Sequence, residues 1–203
     1  MIGIINYGLG NINAFLNAYK KLAFRAISVS TDEEINQCSR LILPGVGSYD
    51  WVMKKLTESG LVPHLNDFVL TKKKPILGIC VGMQIMGNCS DEGVLKGLGW
   101  IDSVVKKIKI NGKKNIILPH MGWNKANIIK ENKLLQGLND AEFYFLHSFH
   151  LIPKDKSIIS AKTLYGEKIV SSIHLNNIYA TQFHPEKSHE SGETILKNFA
   201  AIS

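Results

Sequence analysis

Short apolar runs alternate with segments of helical periodicity through the first half of the chain. The apolar runs predict buried strands at residues 2–6, 26–29, 41–43 and 75–79, the third of them stopped by Pro44-Gly45. The periodic segments predict helices at residues 11–22, 48–59, 61–70 and 82–86, with Asn11 and Ser48 as N-caps. Parallel neighbouring strands need long crossover connections, usually helices. This alternation therefore predicts a mostly parallel central sheet flanked by helices.

The second half of the chain favours antiparallel strands. The predicted strands cover residues 104–110, 115–118, 143–146, 157–161, 169–173 and 178–183, and a helix over 188–202 closes the chain. Asn111-Gly112 predicts a hairpin between the first two strands, and Asn176-Asn177 predicts a turn between the last two. No repeat or linker separates the two halves. We therefore expect one α/β domain over 1–203, with an antiparallel extension in its C-terminal half.

Composition excludes several classes of protein. With 45% hydrophobic and 20% charged residues, the chain is too apolar to be disordered. Its longest uncharged stretch, 1–19, contains four asparagines and three glycines and is too polar for a membrane span. The N-terminus also lacks the pattern of a signal peptide. The net charge of +7 comes from lysines in small groups without interleaved aromatic residues, so we expect neither nucleic-acid nor membrane binding.

The cysteines indicate a reducing compartment. Cys38, Cys80 and Cys89 form an odd set without a C-x-x-C pair, which argues against a disulfide framework and against a thiolate zinc site. We therefore expect a cytoplasmic protein.

Cys80 occupies the position of a catalytic nucleophile. Gly78-Ile79-Cys80-Val81-Gly82 joins a predicted strand to a predicted helix, which is the layout of a nucleophile elbow with sulfur in place of oxygen. Small residues are needed on both sides because the turn is sharp. The start of the following helix favours the thiolate, which is the reactive form. The alternative is that Cys80 is only a small buried apolar residue.

A candidate base and its orienting acid follow the last predicted strand. His184-Pro185-Glu186 succeeds residues 178–183, and residues two apart on an extended segment face the same side. His184 can then take the thiol proton of Cys80 while Glu186 holds the imidazole, which is the triad logic of acyl transfer. The alternative for His184 is a capping or surface histidine.

Six segments carry a resemblance to a known family. They are Gly3-Ile4-Ile5-Asn6-Tyr7-Gly8-x-Gly10-Asn11, Leu43-Pro44-Gly45-Val46-Gly47, Gly78-Ile79-Cys80-x-Gly82-Met83-Gln84, Pro119-His120-Met121-Gly122-Trp123-Asn124, Tyr144-Phe145-x-His147-Ser148 and Gln182-Phe183-His184-Pro185-Glu186-Lys187-Ser188. In this order they resemble the class-I, triad-type glutamine amidotransferases, whose fold is flavodoxin-like. The fourth segment is similar to the glutaminase subunits of imidazole glycerol phosphate synthases.

The resemblance implies hydrolysis of glutamine to glutamate and ammonia, with no cofactor and no metal. Cys80 would attack the side-chain amide carbon, and His184 with Glu186 would move the protons. The implied oxyanion donors are backbone N–H groups at Val46, Gly47 and Val81. The implied substrate-binding residues are Gly45, Gly47, Gln84, His147, Ser148 and Phe149.

The resemblance also implies a partner. The ammonia would pass through a channel to a (β/α)₈-barrel synthase subunit in a heterodimer of histidine biosynthesis. The implied interface residues are Asn11, Trp123, Tyr144 and Lys187. Tryptophan suits such a position because it is over-represented among interface hot spots.

Two other functions are compatible with parts of the sequence. Residues 85–90 depart from the usual family pattern, as does Asn6, where aspartate is frequent. These departures leave open a paralogous subunit that feeds a barrel partner in the amination of surface-polysaccharide sugars. Gly8-x-Gly10-x-x-Asn13, with Asp32 22 residues after Gly10, resembles a dinucleotide-binding fingerprint. Its third glycine is missing, so we rank this binding module below the amidotransferase.

Overall fold

The alternation predicted for the first half is confirmed in the computed structural model, which describes residues 1–110 and 116–202. Its strands are β1 (Ile2–Ile5), β2 (Ala26–Val29), β3 (Arg40–Gly45) and β4 (Ile76–Cys80). Its helices are α1 (Ile12–Lys21), α2 (Asp32–Asn36), α3 (Tyr49–Glu58) and α4 (Val62–Asn66), of which α2 was not predicted from the sequence. The four strands pair in parallel in the order β2-β1-β3-β4. Helical crossovers make this arrangement possible because each returns the chain to the same end of the sheet.

The remaining elements follow along the chain, and most of their strand pairs are antiparallel, the exceptions in the described residues being β4 with β13 and β5 with β6. The helices are α5 (Val81–Gln84) and α6 (His189–Ala201). The strands are β5 (Cys89–Ser90), β6 (Ser103–Lys107), β7 (His120–Lys125), β8 (Asn127–Ile128), β9 (Glu142–His147), β10 (Phe149–Pro153), β11 (Ile159–Tyr165), β12 (Glu167–Leu175) and β13 (Ile178–Thr181). In the described part of the chain, the main sheet runs β2-β1-β3-β4-β13-β12-β11-β8. Two smaller sheets, β10-β6-β5 and β7-β9, lie beside it.

Several sequence-based boundaries are wrong. Strand β3 continues through Pro44 and Gly45. The proline is tolerated because the pairing of β3 with β1 ends at Ile42, so no ladder bond to β1 is needed beyond it. The helix predicted over 61–70 ends at Asn66, and one wider turn continues to Thr71.

The middle of the chain differs more. Strand β7 was not predicted because its sequence lacks a run of apolar residues, and β10 was also missed. The predicted Asn111-Gly112 hairpin falls on residues 111–115, outside the described residues, and 116–118 belong to no strand. The predicted turn at Asn176-Asn177 is confirmed, since Leu175 pairs with Ile178.

Strands β4 and β13 place the candidate site. They are parallel neighbours in the sheet, and Ile79 pairs with Thr181. Both strands therefore end at the same edge, where ligands of open α/β sheets bind. Cys80 ends β4, and His184 follows β13 by three residues. None of the helices in residues 1–110 and 116–202 is long and apolar enough to cross a bilayer.

Candidate active site

The backbone makes a sharp bend at Cys80. Its φ of 55° and ψ of −114° are unusual for a residue with a side chain, and helix α5 begins at the next residue. A Cβ on Gly78 would lie 2.6 Å from the Met86 methyl carbon. A Cβ on Gly82 would overlap the carbonyl oxygen of Leu43. The elbow geometry predicted from the sequence is thus present, and its two glycines fit where no side chain can.

His184 and Glu186 form a buried pair beside Cys80. The His184 Nδ1 lies 2.8 Å from the Glu186 Oε1, and both side chains are 3% exposed. Burial by itself lowers the pKa of His184. The negative charge and hydrogen bond of Cys80, followed by the hydrogen bond and charge of Glu186, outweigh it and raise this pKa to about 10.

The backbone conformation that brings His184 and Glu186 together differs from the expected one. The expectation was an extended segment with both side chains on one side. Instead, residues Pro185–Lys187 form a single 3₁₀ turn. This turn carries Glu186 back beneath the His184 ring, so the two residues meet by a tight turn rather than by strand alternation.

Gln182 is a contact of the nucleophile that sequence reasoning missed. Its amide nitrogen Nε2 lies 3.6 Å from the Cys80 Sγ, and its amide oxygen accepts a 3.0 Å hydrogen bond from Gln84. Gln84 also donates to the Phe149 carbonyl at 2.9 Å. The amide nitrogen of Gln84 is therefore already shared between two acceptors. Gln182 stands in a motif quoted for the family, and that was the only signal for it.

A cavity of about 320 Å³ opens over Cys80. This volume lies in the range of small-molecule sites. Nine of the residues that line it are catalytic, oxyanion or substrate-binding residues expected from the sequence: Val46, Gly47, Cys80, Val81, Gln84, His147, Ser148, Phe149 and His184. Four others line it as well: Glu92, Pro119, Leu146 and Lys187. Gly45 is not among the residues that line it. A Cβ there would overlap the Gly82 nitrogen, so the glycine at position 45 lets β3 approach the elbow closely.

The segment with Val46 and Gly47 is anchored by a buried tyrosine. The Tyr7 hydroxyl donates a 2.5 Å hydrogen bond to the Pro44 carbonyl. Burial first, and then the nearby charge of Cys80, raise the pKa of Tyr7, which keeps the phenol neutral. Gly47 has a φ of 103°, which favours glycine. The candidate oxyanion donors therefore begin two residues after a fixed carbonyl group.

Glu92 is a second lining residue that the sequence did not reveal, since no motif includes it. Its carboxylate accepts a 2.8 Å hydrogen bond from the backbone N–H of Tyr49, at the start of α3. Ser48, the predicted cap of that helix, makes no side-chain capping bond within the described residues. Glu92 and Lys187 place opposite charges at the cavity, as an α-amino acid would require.

Three of the four predicted interface residues lie together. Trp123 is 46% exposed, and its ring stands edge-on to Tyr144 at 6.3 Å between centroids. The Lys187 amine lies 5.6 Å from the Tyr144 ring centre. Asn11 is exposed and caps α1 by accepting a 3.2 Å hydrogen bond from the Ala14 N–H. Met121 and Leu146, which pair across β7 and β9, are exposed as well, and Leu146 also lines the cavity, so exposed apolar side chains adjoin it.

The alternative sites find less support in the described residues. Within residues 1–110 and 116–202, no group of three His, Cys, Asp or Glu side chains could hold a metal ion. In the dinucleotide-like segment Asn13 stands in place of the third glycine, and it is exposed on helix α1. Gly10, with a φ of 96°, packs against Pro44 and thereby serves the Val46-Gly47 segment.

The causes of the raised pKa of His184 can be tested by NMR titration of the histidine rings. Both Glu186→Gln and Cys80→Ala should lower this pKa, because each removes a negative partner of the imidazolium. Cys80→Ala should lower it more, since the charge of Cys80 is the largest raising influence. His120, whose pKa burial lowers to about 4, should titrate alike in all three chains. An unchanged His184 titration in Cys80→Ala would contradict the arrangement.

Comparison with known proteins identifies the family. The family model described as Glutamine amidotransferase class-I matches residues 4–202. The chain is 46% identical over 204 residues to the imidazole glycerol phosphate synthase subunit HisH of Leptospira interrogans, and the match covers 100% of each chain. The corresponding values for the subunit of Leptospira borgpetersenii are 47% and 100% of each chain.

A solved structure agrees at the level of the fold. PurLQS from Thermotoga maritima matches with a TM-score of 0.75 and 16% identity over 98% of this chain and 96% of that one. At this identity the likeness shows the fold alone. Because the family model matches nearly the whole chain and the relatives align from end to end, this protein belongs to the class-I glutamine amidotransferases.

Proposed function

We propose that this chain is the glutaminase subunit of an imidazole glycerol phosphate synthase. It hydrolyses L-glutamine and passes the ammonia to a (β/α)₈-barrel partner in the cytoplasm. The end-to-end similarity to synthase subunits of that name supports the assignment to this complex. The observation that carries the chemistry is that Cys80 and His184 line one cavity of about 320 Å³, with Glu186 2.8 Å behind the imidazole and the charge of Cys80 raising the pKa of His184.

The first half-reaction makes a glutamyl thioester. Cys80 gives its proton to His184, and its sulfur attacks the side-chain amide carbon of glutamine. Negative charge builds up on the amide oxygen, where the backbone N–H of Val81 and one from the Val46-Gly47 segment stabilise it. His184 then gives its proton to the leaving nitrogen, and ammonia departs. The carboxylate of Glu186 keeps the imidazolium oriented and stabilised through both proton transfers.

The second half-reaction regenerates the thiol. Water attacks the thioester carbon and loses a proton to His184. When the carbon–sulfur bond breaks, His184 returns this proton to the Cys80 sulfur and glutamate is released. One imidazole thus serves as base and acid in turn, so a single tautomer held by Glu186 is sufficient for the whole cycle.

The cavity has complementary groups for the amino-acid part of glutamine. The Glu92 carboxylate can pair with the α-ammonium group, and the backbone at His147, Ser148 and Phe149 can contact the ammonium and the α-carboxylate. Gln84 supports this backbone through its hydrogen bond to the Phe149 carbonyl. These groups recognise an α-amino acid, while the elbow acts on its side-chain amide.

The exposed apolar residues at the mouth of the cavity fit the barrel partner. Contiguous exposed apolar side chains mark interaction surfaces, and here Met121 and Trp123 lie on strand β7 and Leu146 on the paired strand β9. Leu146 also lines the cavity. A partner covering this surface would close the mouth and keep the ammonia from the solvent.

Reconstitution tests the function. Mixed with the barrel subunit of an imidazole glycerol phosphate synthase, the chain should support glutamine-dependent closure of the imidazole ring from the phosphoribulosyl aminoimidazole precursor. A barrel subunit that aminates polysaccharide sugars, tested in parallel, should receive no ammonia. The opposite result would favour the paralogous function.

The surface proposed for the barrel partner, formed by Met121, Trp123 and Leu146, can be tested by measuring the dissociation constant of the heterodimer for two variants. Trp123→Ala should raise the dissociation constant of the heterodimer by about thirty-fold, as expected for an aromatic hot spot. Leu70→Ala removes an equally exposed apolar side chain that precedes β4, at the opposite end of the sheet, and should leave the constant unchanged. Equal constants for Trp123→Ala and the unmodified chain would remove Trp123 from the interface.

A further inference from the structure

A chain of hydrogen bonds through two buried histidines reaches the cavity from strand β7. The His147 Nδ1 lies 2.8 Å from the Phe149 carbonyl oxygen, and its Nε2 lies 3.2 Å from the His120 Nδ1. The His120 Nε2 lies 3.2 Å from the Asn124 amide nitrogen. That amide nitrogen also donates to the Leu164 carbonyl oxygen at 3.2 Å. Neither histidine has a role in the proton transfers described above.

The hydrogen bonds that link Asn124, His120, His147 and the Phe149 carbonyl can donate in only one direction. A carbonyl oxygen only accepts, so the His147 Nδ1 must carry the proton that points at Phe149. Burial lowers the pKa of His147 to about 3 and that of His120 to about 4, so both rings are neutral at pH 7. The His147 Nε2 is then a bare acceptor, and His120 donates to it from Nδ1. The His120 Nε2 in turn accepts from the Asn124 amide, which can only donate through its nitrogen.

His120 is held firmly enough to act as a fixed donor. Its side chain is 2% exposed, and its ring lies between the rings of Phe145 and Tyr165, at 4.7 Å and 3.9 Å between centroids. Both contacts are stacked with interplanar angles of 20°. Within the β7-β9 pair, His120 stands directly opposite His147. Position, tilt and tautomer of the His120 ring are therefore all set by its surroundings.

The two ends of the chain lie in functionally different places. At the inner end, the Phe149 carbonyl accepts from both His147 and Gln84, and all three residues line the cavity. At the outer end, Asn124 follows Trp123 on β7, and its side chain lies on the opposite face of that strand, where it contacts His120.

We propose that His120 is a positioning residue for glutamine binding. By donating to His147 it keeps the Nδ1–H of that ring on the Phe149 carbonyl, which fixes the backbone that contacts the α-ammonium and α-carboxylate groups. It also ties this backbone to the strand that carries Trp123. The proposal rests on the proposed function and adds a residue that touches neither substrate nor nucleophile.

His120→Phe tests the proposal in the reconstituted heterodimer. Phenylalanine keeps the stacked ring and removes both hydrogen bonds, which leaves His147 free to change tautomer. We expect KM for glutamine to rise by about ten-fold, as for one lost buried hydrogen bond, with kcat changed less than about two-fold and ammonia-driven synthesis unchanged. Tyr165→Phe is the matched control: it deletes the neighbouring hydroxyl, which donates to the Ile117 carbonyl, but keeps the stacking on His120, so KM should not change.

NMR of the unmodified chain provides a second measurement that does not depend on the variant folding. The ¹⁵N shifts at pH 7 should show His147 neutral, with the proton on Nδ1 and Nε2 accepting. A proton on Nε2 of His147, or an unchanged KM in folded His120→Phe, would overturn the proposal. Failure of the proposed function would look different, because the unmodified heterodimer would then not hydrolyse glutamine at all.

Discussion

Cys80→Ala is expected to abolish glutamine hydrolysis while the reconstituted heterodimer still uses added ammonium. Without the sulfur no thioester can form, and loss of a triad nucleophile typically costs about 10⁴-fold or more in turnover. Alanine fits the site because it removes only the Sγ, which lies 3.6 Å from the Gln182 amide nitrogen and 3.8 Å from the Leu146 carbonyl oxygen. The elbow should therefore stay folded. The measurements are glutamate release and ring closure with each nitrogen source.

The chain offers a matched cysteine control. Cys89 is exposed and unpaired, so Cys89→Ala should keep full activity with both nitrogen sources. If Cys80→Ala lost the glutamine-driven and the ammonia-driven reactions equally, the change would have disturbed the partner or the fold, and the role given to the sulfur would be wrong.

Gly82→Ala is expected to destabilise the fold by about 3 kcal/mol or more. The added Cβ would overlap the Leu43 carbonyl oxygen, a backbone atom of a central strand that cannot rotate away. The elbow or the sheet must shift instead, so the Val46-Gly47 segment would also lose its position beside Cys80. A loss of this size is a large share of the stability of an ordinary domain. Urea unfolding of the purified chain measures it.

Gly60→Ala separates this overlap from the general effect of replacing a glycine. Gly60 has a φ of 73°, and no described atom lies within 4 Å of an added Cβ. Its replacement should cost about 1 kcal/mol, which is the cost of a left-handed backbone conformation alone. Similar losses at Gly60 and Gly82 would mean that the close approach at the elbow is not what restricts position 82.

Local signals predicted many elements of the fold well. Strand β2 and the helices α1 and α6 lie where periodicity and capping residues indicated, and the Asn11 side chain caps α1 as expected. The strand-to-helix junction at Cys80 was also evident. Such features depend on residues close in sequence, because apolar spacing, caps and turn residues act over one or two turns of chain.

Predictions failed where contacts between distant residues outweighed local preference. The sequence predicts that Pro44 ends a strand, but Pro44 pairs with Ile79 of β4 and lies beyond the last pair with β1, so its missing N–H costs no ladder bond to β1. Strand β7 was missed because it is stabilised by its pairing with β9 rather than by an apolar run of its own. The α3 helix is capped by Glu92, 43 residues away from Tyr49, and no nearby residue could have revealed this.

From its order of residues alone, this chain could be assigned a parallel α/β sheet, a cysteine at a strand-to-helix bend and a histidine and glutamate after a later strand. These are properties of consecutive residues. The contacts that surround the Cys80 sulfur, by contrast, were decided by tertiary packing. Gln182 reaches the sulfur across 102 positions, Leu146 across 66, and the two-histidine chain joins strands 27 positions apart. Such contacts are absent from local patterns because each joins segments far apart in the sequence and exists only after the fold has brought those segments together.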